Sequence, residues 1–185
     1  MTTRMFVAVV PPEEAVDDLD DFLSVRRSAG EFRWTLADQW HVTLAFVAHV
    51  PDRALDELCD RLAAAAGKHA AYSTRIVGGG AFPHPDGARV LFAGLDGSFD
   101  ELSRAARNAA TAAGVAVDGQ RFHPHLTLAR LGRPANVSKW VRLLDAYSGP
   151  TWDVSELALV ESHLGEGPRR RPRYEVRATF PLTAG

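Results

Sequence analysis

Two short stretches of this chain share one pattern and constrain what it can fold into. One is His41-Val-Thr43-Leu-Ala; the other is His125-Leu-Thr127-Leu-Ala, set within Arg121-Phe-His-Pro-His125-Leu-Thr127-Leu-Ala-Arg130. Their histidines lie 84 positions apart, which predicts two similar halves meeting at one site. In each copy apolar residues alternate with His and Thr, the period of two expected of a strand with one buried face. Val42, Leu44, Leu126 and Leu128 then point to a core, and His41, Thr43, His125 and Thr127 point the other way. Residues i and i+2 of a strand lie roughly 6.6 to 6.8 Å apart on one face, close enough for an imidazole and a hydroxyl to grip one small group. Two such strands facing a groove converge two imidazoles and two hydroxyls on it.

Chemistry that needs two histidines and no cofactor is in-line phosphoryl transfer: one imidazole takes a proton from the attacking oxygen and the other gives one to the leaving oxygen. An unperturbed pKa of about 6.5 keeps both protonation states of histidine accessible near neutral pH. The two threonines offer hydrogen bonds to non-bridging phosphate oxygens, and Arg130 offers a planar, charged fork. Nothing in the motifs resembles a covalent nucleophile or a fixed metal charge, so neither cofactor nor metal is expected.

The residues His41-Val-Thr-Leu-Ala-Phe and Pro124-His-Leu-Thr-Leu-Ala-Arg130, with the opening Arg4-Met-Phe-Val-Ala, resemble the 2H phosphoesterases, and within them the bacterial RNA 2′,3′-cyclic phosphodiesterases also called 2′-5′ RNA ligases. The resemblance spans essentially the whole chain. It implies an α+β fold of two lobes about a central cleft, with mostly antiparallel sheets, an internal pseudo-two-fold and helices on the outer faces. It also implies metal-independent hydrolysis of an RNA 2′,3′-cyclic phosphate to a 2′-phosphate, with His125 as base on water and His41 as acid on the departing 3′ oxygen. A phosphate-binding arginine belongs at position 130. Strict alternation would turn Arg130 away from His125, so either the strand ends or bulges near Ala129, or this arginine is structural.

At 185 residues the chain has the length of one domain, taken as residues 1–185. Its 46% apolar and 24% charged residues are ordinary for a globular protein. A formal charge of −2 gives no global attraction to long nucleic acid, so RNA contact is expected at an end or terminal phosphate. The single cysteine, Cys59, excludes an intrachain disulfide and reads as a small core residue. With no leader or membrane-length apolar run, a cytoplasmic monomer without an obligate protein partner or membrane contact is expected.

Strands are expected at Arg4 to Val10, over both motifs, at Tyr72 to Val77, Ala88 to Ala93, Val154 to Ser162 and Tyr174 to Leu182. A helix follows Pro11-Pro12, with Val16, Leu19, Leu23 and Val25 as its inner stripe. Others follow Pro51-Asp52, with Leu55, Leu58 and Leu62 inward, and cover Phe99 to Ala113 and Val137 to Tyr147. Gly78-Gly-Gly80 lacks the lysine and following helix of a phosphate loop, so a bend or bulge is expected.

A lone histidine is usually a surface or satisfied core residue; the duplication is what favours His41 and His125. A His123–His125 metal pair with His41 is disfavoured because no carboxylate lies in the second motif. His49, His69, His84 and His163 read as solvent-exposed, and Arg169, Arg170, Arg171 and Arg173 as a solvated basic loop. Phe6, Trp34 and Trp40 could stack on a base but read as core. Two rival functions stand beside RNA-end hydrolysis: a cyclic phosphodiesterase for small nucleotides, and a non-catalytic RNA-end or nucleotide-binding module.

Overall fold

The alternating and helical patterns resolve, in a computed structural model describing residues 1–185, into ten strands and four helices. In chain order these are β1 (Thr2–Val9), α1 (Glu13–Ser24), β2 (Arg33–Trp34), β3 (Val42–Pro51), α2 (Leu55–Ala66), β4 (Tyr72–Thr74), β5 (Ile76–Phe82), β6 (Ala88–Leu95), α3 (Asp100–Ala112), β7 (Leu126–Ala135), α4 (Ser138–Asp145), β8 (Trp152–Val154), β9 (Glu156–His163) and β10 (Arg173–Pro181). The sequence strand, helix, motif strand, helix thus occurs twice. It runs β1-α1-β3-α2 and then β6-α3-β7-α4, the α+β repeat that the paired motifs predict.

All pairings in the main sheet are antiparallel, in the order β10-β9-β1-β3-β7-β6-β5, with β2 added to β7. The two motif strands meet through a single residue pair, Val42 opposite Leu126. The sheet is therefore two half-sheets that splay from this joint. One face is covered by helices whose apolar residues recur every four positions: Ala15, Leu19 and Leu23 on α1, Leu58, Leu62 and Ala66 on α2, and Leu102, Ala106 and Ala110 on α3. On the opposite face Phe6, Ala8, Ala158 and Val160 form a smaller cluster against Phe46 and Tyr174.

Several local expectations are corrected. Val25 is 76% exposed, because α1 ends at Ser24 and the next residue leaves the inner stripe. The strand expected over Tyr72 to Val77 is two strands: β4 pairs with β8 in a separate two-stranded sheet, while β5 joins the main sheet. Val154 to Ser162 is likewise divided, between β8 and β9. Gly78-Gly-Gly80 lies inside β5 and does bulge, with Gly78 at φ 68° and a register shift between Ile76 and Gly79. His163 is not a free surface residue, since Glu161, Glu166 and Glu175 surround its ring within 3.7 Å.

Candidate functional site

Each motif strand carries the same irregularity. Ala8 pairs with Thr43 but Val7 with Ala45, so Leu44 is the extra residue. Phe92 pairs with Thr127 but Leu91 with Ala129, so Leu128 is the extra residue. A bulge of one residue resets the alternation of side chains. Leu44 and Ala45 are consecutively buried, as are Leu128 and Ala129, and the next residues, Phe46 and Arg130, return to the face of Thr43 and Thr127. The parity objection to Arg130 is thereby removed. The carbonyls freed at the bulges find partners elsewhere: Ser103 Oγ donates to Leu44 O at 2.7 Å, and the Thr35 amide donates to Leu128 O at 2.8 Å.

Both histidines sit one residue before their strands, at the joint between the half-sheets. On the antiparallel register that sets Val42 opposite Leu126, His41 falls across from Thr127 and Thr43 across from His125. His41 Nδ1 lies 2.8 Å from Gln39 O and His125 Nδ1 lies 2.6 Å from His123 O. A carbonyl only accepts, so each Nδ1 carries the proton and donates it, leaving Nε2 as the free nitrogen of a neutral ring. Residue i−2 plays this part in both motifs. It does so through its backbone, so no side chain in the sequence advertises it.

Each imidazole also rests on an aromatic pair. Phe6 stacks on His41 at 4.5 Å between centroids and Tyr174 meets it edge-on at 5.4 Å. Phe82 and Phe92 meet His125 edge-on at 4.9 and 5.4 Å. Burial among these rings pushes His41 down to about 4, and the positive charges of His125 and Arg130 act in the same direction against the Gln39 carbonyl. Burial lowers His125 also, with His123 and Arg130 adding to it and the His123 carbonyl opposing. Both rings are therefore neutral at pH 7 before an anion binds.

His41, Thr43, His125, Thr127 and Arg130 all line one cleft of about 530 Å³. Other cations on its walls are Arg4, Arg33, Arg170 and Arg171, and no Asp or Glu lines it. Phe6 and Trp40 are core as read, at 3% and 2% exposure, and Trp34 is half-buried against the core; Phe6 and Trp34 also line the cleft. Sequence reading missed Tyr174, Phe46 and Gln39. Gln39 Nε2 donates to Pro172 O at 2.7 Å, fastening the turn before His41 to the β9–β10 loop. That loop passes through two left-handed residues, Arg169 (φ 54°) and Arg170 (φ 61°). His123 is exposed, and its ring stacks on His125 at 6.3 Å.

The site can be set beside known proteins. The profile of the 2′-5′ RNA ligase superfamily matches residues 11–166. An RNA 2′,3′-cyclic phosphodiesterase of Aeropyrum pernix is 34% identical over 76% of this chain and 83% of that protein. One of Geobacillus stearothermophilus is 31% identical over 97% of this chain, which spans 57% of that longer protein. Among solved structures, a Thermus thermophilus protein superposes with a TM-score of 0.80 at 29% identity, over 98% of both chains. E. coli LigT shares the fold with a TM-score of 0.76 at 22% identity, over 98% of both chains. Because the profile covers both motif strands and the helices that carry them, the chain belongs to the 2′-5′ RNA ligase superfamily.

Proposed function

We propose that this chain is an RNA 2′,3′-cyclic phosphodiesterase that opens the cyclic phosphate at an RNA 3′ end to a 2′-phosphate. One observation carries the reading: two imidazoles, each fixed with Nε2 free, share a cleft whose charged side chains are all cations. Water attacks phosphorus as His125 Nε2 takes its proton, the P–O3′ bond breaks, and His41, which enters the step as the imidazolium, gives its Nε2 proton to O3′. Attack must come opposite the leaving oxygen, so the two rings cannot share one role. Thr43 and Thr127 donate to the non-bridging oxygens, and Arg130 balances the charge that builds on them. With the 5′-hydroxyl of a second RNA end attacking in place of water, and the P–O3′ bond again breaking, the same geometry joins RNA ends through a 2′-5′ linkage. Residues 1–185 work as one unit in the cytoplasm, since neither half supplies both imidazoles. No helix is long and apolar enough to cross a membrane.

The test is turnover of a defined cyclic-phosphate oligoribonucleotide with and without EDTA, with the product mapped. Activity should survive chelation and yield a 2′-phosphate. His41→Ala or His125→Ala should each lower kcat/KM by on the order of 10²–10⁴. The double variant should be barely worse than either, because the pair acts as a unit. Loss of activity in EDTA with rescue by zinc or manganese would sink the mechanism. A 3′-phosphate product would exchange the two histidine roles.

A further inference from the structure

We propose that Arg4 binds a second phosphate, the one on the 5′ side of the terminal nucleotide, so that the cleft selects an RNA end over a mononucleotide. The inference rests on the reaction proposed above. The pseudo-two-fold exposes the feature that carries it. Five residues past each motif histidine, the bulge returns a side chain to the cleft: Arg130 in one lobe, Phe46 in the other. The first lobe supplies its cation from the neighbouring strand, for the Arg4 guanidinium lies 4.4 Å over the Phe46 ring. Stacking on an aromatic face fixes a guanidinium in place. Its Nε is enclosed by protein, so the packed stem holds the group where it is. The guanidinium lines the cleft and makes no ion pair or hydrogen bond with the protein, so its charge is left for a ligand.

Position argues that this cation serves a second phosphate and not the reacting one. Arg4 and Phe6 lie two residues apart on one face of β1, roughly 6.6 to 6.8 Å along the strand, and Phe6 is the residue stacked on His41. Arg4 therefore stands one step farther from the imidazoles, a step comparable with the spacing of successive phosphates on one RNA strand. Between the two cations lies Tyr174, in edge contact with both Phe6 and His41. Burial raises its phenol, and the charges of Arg130 and Arg4 both oppose that rise. A terminal ribose lying across Phe6 and Tyr174 directs its cyclic phosphate to the histidines and Arg130, and its 5′ oxygen toward Arg4.

The decisive comparison is uridine 2′,3′-cyclic phosphate with and without a 5′-phosphate, turned over by the wild-type protein and by Arg4→Met and Arg4→Lys. The 5′-phosphate should raise wild-type kcat/KM about 10- to 100-fold, the effect of one charge-assisted contact. Arg4→Met, which keeps an apolar side chain on Phe46, should abolish that gain while leaving the 5′-hydroxyl substrate within about threefold. Arg4→Lys should keep part of the gain. No gain in the wild type, a gain that survives in Arg4→Met, or an equal fall on both substrates would overturn the proposal. Wild-type protein that turns over neither compound nor the cyclic-phosphate oligoribonucleotide would instead refute the proposed reaction. The subsite is then read by titrating uridine 3′-phosphate against uridine 3′,5′-bisphosphate: equal affinities overturn it, and a tighter bisphosphate that Arg4→Met weakens upholds it.

Discussion

His41 is the most perturbed histidine in the molecule, and its surroundings set how the pair must work. Its ring is neutral well below pH 7, with the acid form reached only near pH 4, yet the proposed role asks it to donate a proton. An imidazolium with a depressed pKa releases its proton readily, so the few molecules that carry it are strongly acidic. An anionic phosphate bound between the rings raises both pKa values by attraction to the imidazolium form. For the free protein, kcat/KM should trace a bell with both limbs below the ordinary histidine pKa of about 6.5, each limb belonging to the coupled pair. In the complex, kcat should trace a bell displaced to higher pH. Profiles measured on a cyclic-phosphate substrate, which does not itself titrate in this range, decide the point: a kcat/KM optimum above pH 7 would contradict the burial that the structure gives these rings. None of this tuning was legible in the motif itself. The paired histidines and threonines are visible in the sequence because they repeat. Phe6, Tyr174, Phe82 and Phe92 are not, because they come from four other strands.

At the scale of single elements, the bulges decide whether the site assembles. Without the extra residue at Leu44, Phe46 would be turned away from the cleft, and Arg4 would lose the ring on which it lies. The bulge leaves the Leu44 carbonyl to Ser103, a buried helix residue in an otherwise alanine-rich face of α3. Ser103→Ala should therefore destabilise the fold by about 1–3 kcal/mol, the usual effect of stranding a buried acceptor. Urea unfolding measures it. A change within about 0.5 kcal/mol, typical of a neutral surface substitution, would show that the bulge holds its geometry without the serine. Such features stay hidden in a sequence for a physical reason. Alternation locates both motif strands, and helical spacing places Leu19, Leu58 and Leu62 on the inner faces where they are found. A bulge, by contrast, is a departure from period two whose position only the partner strand reveals. The division of Tyr72 to Val77 between two sheets is of the same kind, since β4 is drawn off by β8, a partner 80 residues away across the Ser73–Asp153 hydrogen bond.

Over the whole molecule, charge is distributed against its total. The formal charge is −2, while the cleft gathers Arg4, Arg33, Arg130, Arg170 and Arg171 with no carboxylate beside them. Not all of the basic loop is free to meet RNA. Arg171 donates to Trp34 O at 2.8 Å, and Arg173 is held by Glu166 at 2.9 Å and Glu175 at 3.6 Å. Attraction is thus concentrated where one terminal nucleotide lies, and the remaining surface offers a long strand little. Neutralising two phosphates of a single strand predicts a slope of log kcat/KM against log salt of about −1.4, and so a loss of roughly five- to tenfold between 50 and 200 mM. The slope should be the same for a short and a long cyclic-phosphate RNA, because the proposed phosphate contacts end at the second phosphate. Measuring both lengths across that salt range separates two kinds of enzyme. A slope that steepens with length would mean that cations beyond Arg4 and Arg130, such as Arg170 at the cleft wall and Arg169 outside it, track the strand, whereas parallel lines mean that this protein reads only the end of its RNA.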